Sequence, residues 1–310
     1  MEADRLWDIV FPIAAGIFIV VEAVLVFAIV RFRHRPGREA AQFHGNTKVE
    51  VVLTAIPALI LAGIAVPTVQ TIFDFAQEPT DALNVTVTAH QFWWEFEYED
   101  LGIVTANEMY VPVDEPVRVR IVGALSDRVD GSAEVIHSFW PARLAGKQDV
   151  IPGRENFINF EASEEDRYIG QCTEFCGLSH ANMRFVVVAV DGPEFEQWID
   201  GLEAAAPEES AAAEGQDLFE TGADNIAQPC ASCHSVDATA TDQASGLAGP
   251  NLDGFASRER FAAETFSNDD ESLSAWLADP EDVKPGAKMP DLNLNQEQIN
   301  ALIAYLRTLE

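Results

Sequence analysis

The chain has 310 residues, of which 51 are acidic and only 19 are Lys or Arg, so its formal charge is −32. Such an acidic chain is a poor nucleic-acid binder, because affinity for phosphates depends on Lys and Arg that neutralise them. Hydrophobic residues make up 48% and aromatic residues 9% of the chain, which excludes an intrinsically disordered protein and, at this length, indicates about two domains. The charge is uneven, since residues 76–310 hold 13 basic and 44 acidic residues.

Two long apolar segments lie near the N-terminus, at 9–30, interrupted only by Glu22, and at 51–73, without any charge. At about 1.5 Å per residue, either segment would cross a hydrocarbon core of about 30 Å as a helix. A cleaved signal peptide is the alternative for the first segment. However, acidic residues precede it and arginines follow it, whereas a signal peptide has a basic start and a small-residue cleavage site. We expect two retained membrane helices.

The segment between the two apolar stretches is basic and contains Arg31, Arg33, Arg35, Arg38 and Lys48. The positive-inside rule therefore places this loop in the cytoplasm and puts both termini, with everything after residue 75, outside. Pro57 and Pro67 interrupt the second stretch, and Glu22 the first. Such residues are best tolerated where another membrane subunit packs against the helix, so we expect a larger membrane partner.

The remainder of the chain predicts two soluble units. Residues 84–98 alternate β-branched and aromatic residues with polar ones, which indicates a strand. Further strands are predicted at 117–122, 133–139, 156–160 and 185–190, followed by a short helix at 193–202, which is typical of an antiparallel sandwich or barrel. Residues 203–214 contain only Ala, Glu, Pro and Ser and predict an extended linker. The segment 215–310 forms a second unit that is helical at both ends.

Four cysteines occur as two close pairs, and two disulfides in an oxidising compartment are one use for them. The second pair, however, lies in CASCH at 230–234, the C-x-x-C-H sequence that attaches a c-type haem. Cys230 and Cys233 would form thioether bonds to the porphyrin while His234 binds the iron. Methionine is a usual second axial ligand, and Met289 is the best placed of the four methionines. With GPNL at 249–252 and a closing helix at 295–309, the segment predicts a class I cytochrome c domain.

The first cysteine pair lies in QCTEFCGLSHANM at 171–183, and a further histidine, His137, lies in IHSFW. Two Cys and two His also suit a tetrahedral zinc site. Zinc has no use for the nearby thioether of Met183, whereas soft sulfur ligands favour copper. A mononuclear blue-copper site needs only one cysteine, and two bridging thiolates can hold two copper ions close together. The sequence therefore predicts a dinuclear copper centre.

These features resemble subunit II of haem–copper cytochrome c oxidases, fused to a cytochrome c domain as in caa-type oxidases. The resemblance covers nearly the whole chain. It implies a multidomain membrane protein with a two-helix membrane hairpin at 1–75, a cupredoxin-like β-barrel at 76–202, a linker at 203–214 and an all-α class I cytochrome c domain at 215–310. The sequences that carry it are the two spans, HQFWWEFEY at 90–98, HSF at 137–139, Lys147 with DVIPGR at 149–154, GQCTEFCGLSHANM at 170–183 and CASCH.

The family's copper centre is CuA. The resemblance implies that the backbone carbonyl of Glu174 completes the coordination of the two coppers and that its side chain reaches a Mg²⁺ ion shared with subunit I. It also implies that the carbonyl of Pro250 holds the axial His234 through its other ring nitrogen. The expected CuA side-chain ligands are His137, Cys172, Cys176, His180 and Met183.

The resemblance further implies an oxidoreductase subunit that accepts electrons at haem c and passes them through CuA to subunit I, where oxygen is reduced to water and protons are translocated. The expected partners are subunit I, subunit III and a donor such as a cytochrome c or a quinol-oxidising complex. The expected location is the cell membrane, with both metal domains outside. Two alternatives stay open: the input subunit of a nitric oxide reductase, and a membrane-tethered carrier that acts without a catalytic subunit.

Two further roles are expected from the family. Relatives with a separate cytochrome c admit electrons at a tryptophan after a His-Gln pair, and at the matching position this chain has Phe92, followed by Trp93 and Trp94. Strand alternation makes core packing the simpler role for Phe92 and makes Trp93 the exposed candidate. Glu50 matches the family's carboxylate at the mouth of a proton channel into subunit I, although a charge at a helix start is the simpler explanation.

Overall fold

The computed structural model describes residues 2–34, 37, 45–123, 135–203, 212–223, 226, 228–239 and 248–310. These form two compact units, Met1–Gln77 and Glu78–Glu310. Arg35 and Arg38 of the predicted cytoplasmic loop, the start of the strand predicted at 133–139, and the linker residues 204–211 lie outside the described part of the chain.

The first unit consists of two long helices, α1 (Glu2–Phe32) and α2 (Thr47–Phe75). Asn46 starts α2, because its side-chain oxygen accepts hydrogen bonds from the backbone N–H groups of Lys48 and Val49. Both helices are long and apolar enough to cross a membrane, and the chain itself buries none of their most apolar stretches. This is the arrangement expected of helices whose side chains face lipid or another membrane subunit.

The second unit begins with a two-layer β-sandwich, in which one sheet has the strand order β3-β2-β1-β5-β8 and the other β4-β10-β9-β6-β7. The pairs β1–β5 and β4–β10 are parallel, so the predicted antiparallel arrangement holds only for the other pairs. The strands are β1 (Leu83–His90), β2 (Trp93–Tyr98), β3 (Ile103–Ala106), β4 (Glu108–Pro112), β5 (Pro116–Gly123), β6 (His137–Trp140), β7 (Gln148–Val150), β8 (Asn156–Glu161), β9 (Asp166–Cys172) and β10 (Arg184–Val190).

Aromatic side chains fill the space between the two sheets. Phe139 and Phe185 stack with ring centroids 4.3 Å apart, and Trp94 meets both of them edge-on. All three are fully buried. Aromatic pairs in these arrangements add to the stability gained by burying their area. Helix α3 (Gly192–Glu203) then closes the domain, where Trp198 stacks on Tyr110 of β4.

The strand predicted at 84–98 is in fact a hairpin of two strands. β1 and β2 pair in the antiparallel register Val85↔Tyr98 to His90↔Trp93, and Gln91 and Phe92 form the turn. The alternating pattern continues on both sides of this turn, which contains neither Gly nor Pro, so the sequence does not mark it. The turn lies between the two predicted metal sites.

The last part of the second unit is mainly helical. Helices α4 (Ala213–Thr221) and α7 (Gln296–Leu306) pack against each other, and α7 starts with a capping box between Asn295 and Gln298. The all-α prediction is correct apart from a small hairpin of two strands with two residues each, β11 (Arg260–Phe261) and β12 (Phe266–Ser267). The other elements are α5 (Asp270–Ala278), α6 (Pro280–Val283) and short 3-10 turns at Cys230–Ser232 and Phe255–Ser257.

Candidate metal centres

Five sulfur and nitrogen side chains converge at one end of the sandwich. The Sγ atoms of Cys172 and Cys176 lie 3.8 Å apart. Nδ1 of His137 lies 3.8 Å from Sγ of Cys172, and Nδ1 of His180 lies 3.7 Å from Sγ of Cys176. Sδ of Met183 also lies 3.8 Å from Sγ of Cys176. The structure thus brings together all five predicted side-chain ligands.

A backbone oxygen joins this cluster. The carbonyl oxygen of Glu174 lies 3.2 Å from Sγ of Cys172, while the Glu174 side chain is exposed. The arrangement agrees with the expected use of a carbonyl rather than a carboxylate in the cluster. The predicted Mg²⁺ role of the exposed side chain stays a prediction.

The fold holds these ligands from two strands and one loop. Cys172 ends β9, and its backbone N–H donates to the carbonyl of Met183, just before β10, which closes the loop between them. His137 begins β6, and Phe139 of that strand pairs directly with Cys172. The ligands are buried or half-buried. A loop fixed at both ends by paired strands keeps the donor atoms in one geometry.

The two thiols titrate as a coupled pair. Their mutual hydrogen bond is the main cause that lowers the pKa of Cys172 to about 3 and raises the pKa of Cys176. The folded loop therefore favours a thiolate at Cys172 over one at Cys176.

The geometry also separates the alternatives for these cysteines. Cys172 and Cys176 are free thiols, and their separation is far beyond a disulfide bond length of about 2.05 Å. A tetrahedral zinc ion would leave the buried thioether of Met183 and the Glu174 carbonyl without a use. Two bridging sulfurs with one nitrogen beside each fit a pair of soft metal ions, so the residues present fit the predicted dinuclear copper centre.

A second site occupies the C-terminal part of the unit. Cys230 and Cys233, which are both free, border a cavity together with His234 and Met289. Apolar side chains form much of its remaining wall, including Phe219, Leu252, Phe255, Phe261, Leu273, Trp276, Leu277, Leu302 and Leu306. An apolar cavity with two thiols, a histidine and a methionine on its wall fits the predicted haem c.

His234 is held for metal binding by its other ring nitrogen. Nδ1 of His234 donates to the carbonyl of Pro250 at 2.8 Å, as the resemblance implied. Burial lowers the pKa of His234, which keeps the imidazole neutral with Nε2 available as a ligand. A Cβ at Gly249 would come within 2.5 Å of the His234 ring, so only glycine allows this close approach.

Models of protein families match almost the whole chain. Residues 1–71 match the transmembrane domain of cytochrome c oxidase subunit II, residues 83–190 match its periplasmic domain, and residues 212–310 match cytochrome c. Cytochrome c oxidase subunit 2 of Alkalihalophilus pseudofirmus is 36% identical over 96% of this chain and 84% of its own length. The chain belongs to the cytochrome c oxidase subunit II family.

Two further subunit II relatives are similar over nearly the full chain. That of Bacillus sp. strain PS3 is 34% identical over 90% of this chain and 80% of its own length. That of Bacillus subtilis is 33% identical over 93% of this chain and 82% of its own length. A subunit II with a cytochrome c domain is a membrane oxidoreductase subunit with extracytoplasmic domains. The two matched domains imply copper and haem c, and membership of the family implies subunit I as a partner.

The turn at Gln91 and Phe92 adjoins both candidate sites of this subunit II. The Gln91 side-chain amide donates to the carbonyl of Cys176, and the Phe92 ring lies against Gly177 of the copper loop. Gln91 and Phe92 also border the cavity that contains His234. Motifs and the resemblance name the metal ligands, and the resemblance names Phe92 as a candidate for electron entry. That Gln91 and Phe92 form a turn shared by both sites is not predicted, because it depends on how the two domains dock.

The prediction that Trp93 is exposed is wrong. Trp93 is only 8% exposed, stacks on His90 with ring centroids 4.0 Å apart, and packs with Ala106 and with Ala263 of the cytochrome c domain. The hairpin turn and the docked C-terminal domain cover it. Phe92 belongs to the core cluster of the sandwich, as expected from alternation, but its ring also borders the cavity.

Glu50 lies in the first turn of α2, where its side chain is exposed beside Gly45. A carboxylate in the first turn of a helix is stabilised by the helix dipole, so this position suits a simple helix-start charge. The position at the end of a membrane helix also suits a channel mouth, and the proton-channel role stays a prediction.

Proposed function

We propose that this chain is the electron-input subunit of a respiratory terminal oxidase. Its C-terminal domain accepts electrons from an external donor and its copper-binding domain passes them to subunit I, which reduces oxygen to water with proton translocation. The observation that carries the proposal is the single compact unit Glu78–Glu310, in which the cluster around Cys176 and the cavity around His234 meet the same turn, Gln91 and Phe92.

The copper-binding domain would hold CuA through a nearly complete set of preformed contacts. Cys172 and Cys176, with an imidazole Nδ1 beside each sulfur, would hold the copper ions together with Met183 and the Glu174 carbonyl. CuA, when bound, takes up and releases one electron with little change in its bonds. The paired strands β6, β9 and β10 keep the donor atoms in place, so the protein need not rearrange.

The C-terminal domain would hold haem c through thioether bonds from Cys230 and Cys233. His234 and Met289 would hold the iron. Haem c, when bound, also exchanges one electron. The Pro250 carbonyl fixes the orientation of the His234 ring, and the apolar cavity wall excludes water from the site.

The membrane hairpin would anchor these domains on the outer face of the cell membrane against subunit I, with subunit III as a further partner. We further propose that Glu50 admits protons toward subunit I and that the Glu174 side chain contributes to a shared Mg²⁺ site. The donor would be a cytochrome c or a quinol-oxidising complex. The relatives that are similar over nearly the full chain are subunits of cytochrome c oxidases, which favours oxygen over nitric oxide as the terminal acceptor.

The test is metal and haem analysis of the purified complex that contains this chain. We expect two copper ions for each haem c in this subunit, and a co-purifying large subunit with a haem–copper site. Cys172→Ser should lose the copper pair and keep haem c, because the two donor sets share no residue. Cys230→Ser should lose one thioether link and keep copper, and Ser232→Ala, inside the haem sequence, should keep both.

Three results would contradict the proposal. Zinc in place of copper, or one copper ion per haem c within this subunit once the copper of the large subunit is subtracted, would show that the cluster is not CuA. A large subunit that reduces nitric oxide and not oxygen would give the chain a different complex. A chain that carries both groups but co-purifies with no catalytic subunit would be a free electron carrier.

A further inference from the structure

The cytochrome c domain docks on the sandwich through a specific set of backbone contacts. The N–H of Val104 in β3 donates to the carbonyl of Ala238 at 2.8 Å, and the N–H of Arg184 in β10 lies 3.4 Å from the carbonyl of Ala263. The Ser179 hydroxyl donates to the carbonyl of Pro285 at 2.7 Å. Ala238 is fully buried in the core cluster of the sandwich. These contacts define one docked arrangement.

Lys284 is the charged side chain at the centre of this interface. It is only 3% exposed, and its Nζ donates to the carbonyl of Ala262 at 2.8 Å within its own domain and to the carbonyl of Phe92 at 3.2 Å across the interface. Burial lowers the pKa of Lys284 to about 7. Burying an ammonium group costs free energy unless polar partners surround it. A lysine that only filled space here would therefore be less favourable than an apolar side chain of the same size.

The partner of Lys284 leads directly to the copper loop. Phe92 follows Gln91, whose side-chain amide donates to the carbonyl of Cys176. The Phe92 ring lies beside Gly177, and a Cβ on Gly286, two residues after Lys284, would be 3.4 Å from the same ring. Lys284 therefore fixes a turn that contacts a predicted copper ligand on one side and borders the predicted haem cavity on the other.

We infer that Lys284 is a positioning residue, which holds the cytochrome c domain in register with the copper loop by binding the carbonyl of Phe92. The inference rests on the proposed function, in which the reduced C-terminal domain gives one electron to the oxidised copper-binding domain and no bond is broken. A fixed register keeps the same contacts at every electron transfer, from Lys284 to Phe92 and from Gln91 to Cys176.

The test compares Lys284→Met and Lys284→Gln in the full-length subunit within its complex. Methionine has nearly the length of lysine but no donor, whereas glutamine keeps a donor on a shorter side chain. Docking is measured by hydrogen exchange at the Val104 and Arg184 amides, which bond across the interface. At about pH 6, where Lys284 is mostly charged, we expect this exchange to accelerate about tenfold or more in Lys284→Met, because a hydrogen bond from a charged group contributes at least that factor to an equilibrium.

Haem-to-copper electron transfer, timed after flash reduction of haem c, should slow in parallel in Lys284→Met. Lys284→Gln should restore part of both the protection and the rate. A purely structural role predicts a different pattern, since it would lower the melting temperature of the domain with no preference for the two cross-interface amides. Lys147→Met makes the same substitution at an exposed position of the sandwich and should leave both measurements unchanged.

The outcomes separate the two proposals. Wild-type exchange and rate in Lys284→Met would overturn the positioning role, and so would faster exchange in Lys284→Met with no recovery in Lys284→Gln. If Lys284→Met fails to fold, Lys284→Gln alone decides. Full loss of exchange protection at the Val104 and Arg184 amides, although the glutamine still has an N–H donor, would contradict the inference. Missing copper or haem in the wild-type chain would instead contradict the proposed function, while the exchange data would still report on docking.

Discussion

Glu264 is a buried carboxyl group in the domain interface. It is 6% exposed, and its Oε1 has no hydrogen-bond partner among the described residues. Burial first, and then the negative charge of Glu108, raise the pKa of Glu264 to about 7, against the opposing effects of Arg167, Arg260 and Arg258. The folded chain therefore holds a proton on Glu264 over a pH range in which the unfolded chain has released it.

This proton gives the stability a defined pH dependence. Between the unfolded pKa of about 4.5 and the folded pKa of about 7, the folded state binds more protons, so its stability falls as the pH rises. Glu264→Gln removes this loss of stability at higher pH, because glutamine has no proton to release. We expect little difference from the wild type at pH 4 and a gain approaching about 3 kcal/mol at pH 8, since one pKa unit corresponds to about 1.4 kcal/mol.

Thermal or chemical unfolding of the holo subunit across this pH range checks the prediction. Glu259→Gln is the matched control, because the Glu259 side chain is 71% exposed and its ion pair with Arg167 is long, at 3.7 Å. Its effect should be small at every pH. A gain for Glu264→Gln that does not grow with pH would mean that Glu264 titrates normally in the folded chain.

At the residue scale, the sequence predicts the ligands and, through the resemblance, the Pro250 carbonyl that holds His234, but not the buried residues of the domain interface. Cys172, Cys176 and His180 lie within one short loop, so their spacing alone brings them together. Lys284 and Glu264 carry no such signal, because each is buried only through contact with residues far away in sequence, such as Phe92 and Glu108. A lysine before a proline and a glutamate in a loop are ordinary surface residues until the domains dock.

Helices α4 and α7 make the closest approach in the cytochrome c domain. A Cβ on Gly215 of α4 would lie 2.0 Å from the carbonyl oxygen of Ala301 and 2.8 Å from Cβ of Tyr305, both in α7. Gly215 is buried, and Tyr305 is fully buried beside Phe219. The glycine therefore sets the distance between the first and last helices of the domain.

Gly215→Ala should push these helices apart. We expect a loss of about 1 to 3 kcal/mol in the stability of the cytochrome c domain, because overpacking a close contact forces backbone shifts. Unfolding followed through the haem absorbance measures this loss. Gly201→Ala in α3 is the matched control, since a Cβ there meets nothing within 4 Å. It should be neutral or stabilise by up to about 1 kcal/mol, as alanine favours a helix. Equal effects of the two substitutions would refute the close-contact explanation.

At the element scale, periodicity predicts the long elements best. Helices α1, α2, α3 and α7 follow from apolar runs and clear ends, and β5, β8 and β10 from short runs rich in β-branched or aromatic residues. Strands β3, β4 and β7 have three to five residues each, too few to show a period. The hairpin turn between β1 and β2 was missed for another reason, since its residues continue the strand pattern and only pairing with the partner strand defines it.

The two extracytoplasmic domains of this very acidic chain meet with little reliance on exposed charge, because the ionisable groups Lys284 and Glu264 in their interface are buried. Their contacts include backbone hydrogen bonds at Val104 and Arg184, the packing of Trp93 against Ala263, and Lys284 bound to carbonyl groups. The ion pair between Arg167 and Glu259 is long and exposed on the glutamate side. Residues 76–310 carry −31 of the net charge, so the acidity lies on these domains without being what joins them.

Docking should therefore be insensitive to salt. Hydrogen exchange at the Val104 and Arg184 amides should stay the same from low ionic strength to about 1 M salt, where the screening length falls to about 3 Å. Reaction with a basic soluble cytochrome, used as an external probe, should slow over the same range if the acidic surface attracts donors. Amide protection that is lost with salt would show that exposed charges hold the domains together. A donor rate that does not fall would favour adaptation to a saline habitat as the reason for the acidity.

The shared wall of the C-terminal cavity also constrains how the protein matures. Gln91, Phe92, Trp93 and Asn107 of the sandwich line the cavity that contains Cys230 and Cys233. Before docking, that side of the cavity is open to a porphyrin and to the machinery that forms its thioether bonds. After docking, the hairpin turn forms part of that wall. We therefore expect haem attachment to precede docking, because the turn that joins the two metal sites also covers one side of the cavity.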